Sequence, residues 1–114
     1  MNDRNTIIIK KIIQYCDQIA GTVDRFGKDS NLFFEDYIFS NACNMCILQI
    51  GELVGKLDDA FKQKHTNIPW REIKAMRNIY AHNYQQVDLE FAWNTVIYDI
   101  PMLKDACERI IEEL

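Results

Sequence analysis

Within the eight residues Arg77-Asn78-Ile79-Tyr80-Ala81-His82-Asn83-Tyr84 the chain places a permanent cation, an amide, an imidazole and a phenol. Arginine can clamp a phosphate and hold negative charge as it develops, and histidine titrates near neutrality without help. Together they suit phosphodiester chemistry that needs no metal. Each residue also has a plainer role open to it. Arg77 could form an ion pair with Glu72, Asp36 or Glu52, and Tyr84 could be a core aromatic with its hydroxyl at the rim. His82 could cap a helix C-terminus, where a cation gains ~0.3–1 kcal/mol. On a regular helix Asn78 and His82 stack on one face, whereas Arg77 lies about 140° round the axis from His82. The length of arginine eases this, and so does Asn83, which accepts left-handed backbone angles and lets His82-Asn83-Tyr84 leave the helix. The geometry is permissive.

Helices must position this motif. Ile7, Ile8, Ile12, Ile13, Cys16, Ile19, Ala20, Val23 and Phe26 recur at three- and four-residue intervals, which predicts an amphipathic helix from about residue 4 to 26 with Gly27 as its stop. After a loop, Ser30 or Asn31 can cap a long second helix from roughly 32 to 64. Gly51 and Gly55 share one face of it. Glycine costs about 1 kcal/mol inside a helix, so the pair is either tolerated or marks the close approach of another backbone. Pro69 suits the first turn of a third helix carrying Trp70, Ile73, Met76 and Ile79, and the motif occupies its end. Asp88 caps a fourth segment, which Pro101 kinks or restarts as a fifth. The expectation is a single domain over residues 1–114, an all-α bundle of four to five helices.

Composition supports this. The chain has 114 residues, of which 48% are hydrophobic and 26% charged, as in ordinary globular proteins. Only 4 Gly and 2 Pro leave little punctuation for a many-stranded β fold. No apolar run approaches the ~20 residues of a membrane span, and Met1-Asn2-Asp3-Arg4 does not begin a signal peptide, so a cytoplasmic protein is expected. Cys16, Cys43, Cys46 and Cys107 then read as reduced, buried thiols. Cys43 and Cys46 form a C-x-x-C, but no second close pair completes four zinc ligands, and no metal or cofactor is expected. His65, isolated in a polar loop, reads as a surface histidine. The net charge of −4 argues against coating nucleic acid by bulk electrostatics. It leaves room for a local basic cleft, and Lys56, Lys62, Lys64, Arg71, Lys74 and Arg77 concentrate positive charge in mid-chain.

The order Arg77-x4-His82-x-Tyr84, with Asn directly after Arg, resembles the signature of the HEPN superfamily (higher eukaryotes and prokaryotes nucleotide-binding). Gln49-Ile50-Gly51-Glu52, Ile68-Pro69-Trp70 with Met76-Arg77-Asn78, and Trp93 followed by Asp99-Ile100-Pro101 resemble its HepT-like toxin branch. The similarity runs from about residue 36 to 104. It implies a helical homodimer with two motif copies facing one cleft, and metal-independent RNA cleavage. It also implies an antitoxin partner, a small MNT-type nucleotidyltransferase that transfers AMP to a motif tyrosine. Carried onto this chain, Arg77 and His82 are the catalytic pair and Asn78 a supporting polar residue. Tyr84 is the AMP acceptor, with Tyr80 as the alternative. A non-catalytic dimeric nucleotide-binding or adaptor module beside such a nucleotidyltransferase is the competing expectation.

Overall fold

The isoleucine-rich start of the chain folds as α1 (Asp3–Phe26). Its core face is Ile8, Ile9, Ile12, Cys16 and Ile19, while Ile7 stays 54% exposed. Gly27 ends it with φ 107°, a conformation that favours glycine. The Gly27 N–H donates to the Val23 carbonyl at 2.7 Å. The computed structural model describes residues 3–82 and 88–114, with side chains for residues 4–77 and 88–114.

The single long helix expected from 32 to 64 is three: α2 (Ser30–Glu35), α3 (Tyr37–Val54) and α4 (Asp59–Lys64). Asp36 causes the first break. Its backbone is extended (φ −96°, ψ 102°), and its carboxylate accepts from the Ile38 N–H at 2.9 Å and the Phe39 N–H at 3.4 Å. A short acidic side chain that bonds nearby amides competes with the helical ladder and favours a cap. Asp29, not Ser30 or Asn31, caps α2 in the same way, accepting from the Asn31 N–H at 2.9 Å. The second break follows Gly55, and α1 holds it. Buried Asn5 donates through Nδ2 to Asp58 Oδ2 at 3.2 Å and accepts the Asp58 N–H at 3.2 Å.

Pro69 sits at the start of α5 (Trp70–His82), as its fixed φ favours. Trp70 Nε1 donates to the His65 carbonyl at 3.0 Å, closing the turn that precedes the helix. Asp88 caps α6 (Leu89–Asn94), accepting from the N–H groups of Glu90 at 2.9 Å and Phe91 at 3.3 Å. Pro101 stands in the first turn of a separate helix, as the expected restart requires. Thr95–Asp99 forms a π turn that leads into α7 (Ile100–Glu112). The Ile100 N–H reaches the Thr95 carbonyl five residues back. Proline has no N–H to donate and crowds the preceding turn, and widening that turn accommodates it.

These elements form an all-α bundle in which α1 packs on α3 and α7, and α3 packs on α5. Ile9, Ile12, Ile19, Ile47, Ile50 and Val54 fill its centre. At one end Phe33 meets Trp93 at 5.1 Å and Phe39 edge-on at 5.2 Å between ring centroids, while Phe26 stacks on Phe39 at 4.9 Å. That cluster joins the short α2 and α6 to α1 and α3. Lys104 Nζ lies 2.6 Å from Asp17 Oδ1 and ties α7 to α1. Among the described residues, no helix is long and apolar enough to cross a membrane.

Candidate active site

Arg77 lies where α5 crosses α3, and the crossing is unusually close. A Cβ added at Gly51 would overlap the Arg77 Cβ and stand 3.2 Å from its Cα. Of the two glycines on this face, Gly51 therefore marks the backbone approach. Gly55 does not, since a Cβ there would meet the Glu52 carbonyl at 3.4 Å, the flexible end of Lys74 at 3.7 Å and the Gly51 carbonyl at 3.8 Å, all ordinary contacts.

Three carboxylates were open to Arg77, and the fold selects one. Glu52 Oε1 accepts from Arg77 Nε at 2.6 Å. Asp36 is engaged as the α3 cap, and Glu72 lines a cavity of about 460 Å³ between α3, α5 and α7. The Arg77 side chain keeps 32% of its surface exposed and Glu52 keeps 40%, so solvent reaches the pair. Lys74, one turn before Arg77, is exposed beside the α3–α5 crossing, as are Lys56 and Arg71 nearby in sequence. A charge-assisted arginine with lysine neighbours is suited to phosphate.

α5 continues through His82, so the helix carries Arg77, Asn78, Tyr80 and His82 on one regular backbone. At five residues' separation, the Arg77 and His82 positions stand about 140° apart round the axis. The fold therefore does not bring these two positions to one side of a single α5. Tyr84 and Asn83 lie outside the described residues, and so does the test of the AMP-acceptor position.

Two other expectations find structural explanations. His65 is half-buried rather than on the open surface, its ring 4.7 Å from that of Phe61. All four cysteines are buried. Burial pushes the thiols of Cys16, Cys43 and Cys107 up to about 12, and that of Cys46 upward too. As neutral, buried thiols they act as small core residues.

Asn44 is a polar residue that the sequence reading passed over. It is 4% exposed, and its Oδ1 has no hydrogen-bond partner among the described residues. It stands seven residues, two helical turns, before Gly51, and so on the same side of α3. Its only sequence signal is an amide set inside the apolar run from Cys43 to Ile47.

The chain's likeness to known proteins accords with this arrangement. A family model described as "Ribonuclease HepT-like" matches residues 9–110, so the likeness extends into α1 and α7 as well as the central blocks. A Methanocaldococcus jannaschii protein named "Putative RNase" is 33% identical over 107 residues, covering 90% of this chain and 87% of that protein. The "Probable ribonuclease HepT" of Thermococcus cleftensis is 31% identical over 101 residues, 84% of this chain and 92% of its own. A Caldanaerobacter subterraneus protein, also named "Putative RNase", is 29% identical over 105 residues, with 92% of each chain covered. No solved structure matches the chain convincingly. With the match spanning nearly every helix and the Arg77-x4-His82-x-Tyr84 signature intact, the chain belongs to the HepT-like ribonuclease family.

Proposed function

We propose that this chain is a metal-independent endoribonuclease and the toxin of a toxin–antitoxin pair. Arg77 and His82 act at a cleft shared by two copies, and an MNT-type nucleotidyltransferase silences the pair by adenylylating Tyr84, with Tyr80 the alternative acceptor. The observation that carries this is the Arg77-x4-His82-x-Tyr84 signature within a match to a ribonuclease family over residues 9–110. The two-copy cleft is supported by the 140° between Arg77 and His82 on α5, which a second copy relieves by bringing one protomer's His82 toward the other's site. It is supported also by α3, where Ile38 is 58% exposed and Met45 52%. Those residues and Glu52 recur every seven positions, so an apolar stripe leads to Arg77.

RNA brings its own nucleophile. The 2′-oxygen attacks phosphorus and gives its proton to one His82. The bond from phosphorus to the 5′-oxygen breaks, and that oxygen takes a proton from the partner's His82. Arg77 holds the extra negative charge on the five-coordinate phosphorus, and Asn78 adds a polar contact. The products are a 2′,3′-cyclic phosphate and a 5′-hydroxyl. AMP on Tyr84 would bring a phosphate to the same arginine and exclude the RNA.

The test is RNA cleavage by the purified protein in excess EDTA. Cleavage to cyclic-phosphate ends is expected, lost in His82→Ala while the helical spectrum and oligomeric mass are kept. Ends bearing 5′-phosphate, or an absolute need for magnesium, overturn the mechanism. With the neighbouring nucleotidyltransferase and ATP, the intact mass should rise by AMP units in the wild type but not in Tyr84→Phe. A gain that persists in Tyr84→Phe transfers the role to Tyr80. The acidic balance of −4 favours the second reading, a non-catalytic nucleotide-binding adaptor, which intact RNA under all these conditions would support.

A further inference from the structure

Arg77 is gripped at both ends by adjacent residues of α3. At the backbone end, bare Gly51 lets the Arg77 Cα approach so closely that a Cβ at Gly51 would stand 3.2 Å from it and 3.1 Å from Cγ. At the far end, Glu52 Oε1 receives Nε at 2.6 Å. Between these points lie only the rotatable bonds of the arginine stem. The guanidinium is planar, so fixing Cα and Nε restricts that plane and with it the direction of the Nη fork that grips phosphates. A pair that keeps 32% and 40% of its side-chain surface exposed contributes little to folding. Its geometry is nevertheless built into a helix crossing that only glycine allows.

We propose that Glu52 is a positioning residue for Arg77, orienting the guanidinium toward the phosphate in the transition state. The inference rests on the ribonuclease reading above. Two effects of the carboxylate oppose each other. It aligns the fork, which favours the chemical step, and it offsets positive charge, which weakens RNA binding in the ground state. Removing it therefore separates kcat from KM, whereas a loss of fold lowers the active fraction without lowering KM.

The experiment measures RNA cleavage and thermal unfolding of the full chain for Glu52→Ala, Glu52→Gln, Arg77→Lys and the double variant Glu52→Ala/Arg77→Lys. Glu52→Ala should lower kcat roughly 10- to 100-fold, the scale of a misaligned catalytic group. Its KM should fall, and its unfolding midpoint should stay near the wild-type value. Glu52→Gln keeps the acceptor oxygen and should recover most of the loss. Because Glu52 acts through the guanidinium, the double variant should be no slower than Arg77→Lys. Wild-type kcat in Glu52→Ala, losses that multiply in the double variant, or a kcat loss tracking a lowered midpoint with no recovery by Gln would each overturn the inference while the ribonuclease reading stood. A wild type that cleaves no RNA overturns both.

Discussion

An arginine declares its charge in the sequence but not its partner. Asp36, Glu52 and Glu72 were all plausible for Arg77, because each lies within reach in some folding of the chain. Only the α3–α5 crossing decides for Glu52, at 2.6 Å. The cysteines show the reverse. Their positions within apolar periodicity already implied burial, and the structure adds its consequence for ionisation. A thiol whose ordinary value is 9.0 and whose folded value is about 12 keeps its proton in the native state longer than in the unfolded one. Above pH 9 the unfolded chain binds fewer protons, so stability is intact below about 9 and is lost progressively toward 12. The urea midpoint should hold from pH 7 to 8.5 and then decline, less steeply in Cys107→Ala. An equal decline in that variant would remove the thiol from the explanation.

At the scale of elements, the two α3 glycines look alike in the sequence and differ in the fold. Gly51→Ala forces a methyl into the Arg77 Cβ, and the helices must separate, at a cost of ~1–3 kcal/mol typical of overpacking. Gly55 has ordinary helical angles (φ −64°, ψ −17°) and room for a methyl. Gly55→Ala should therefore leave stability unchanged or raise it by up to ~1 kcal/mol through a less flexible unfolded chain. Thermal unfolding of the two variants checks the contrast, and equal effects would mean that α5 does not approach α3 at Gly51. Helix ends follow a similar logic. Gly27, Pro69 and Asp88 acted as their chemistry predicts, but Asp36, read as a possible partner of Arg77, caps α3 inside an apolar pattern instead. Hydrophobic periodicity runs on through the one-residue break at Asp36 and the four-residue break at 55–58, so it joined α2, α3 and α4 into one helix.

At the scale of the whole molecule, the proposed chemistry asks for two copies. Ile38 and Met45 leave an apolar stripe on α3 that the bundle itself does not cover. Light scattering after size exclusion should give the mass of two chains. Met45→Glu should shift it toward one chain and reduce RNA cleavage while retaining the helical spectrum. A dimer indifferent to Met45→Glu would move the interface elsewhere, and a wild-type monomer that cleaves RNA would refute the shared cleft.

What the sequence determined by itself was local: helical periods, most caps and stops, buried thiols, and a motif whose residue order already resembled a ribonuclease family. These depend on near neighbours along the chain, whose spacing is visible in one dimension. The tertiary structure decided which glycine is a contact, which carboxylate holds Arg77, how the chain turns into α7 at Pro101, and that Asn44 is buried and His65 half-buried. Those outcomes depend on distances between residues far apart in the chain or on the packing around them, which spacing does not encode.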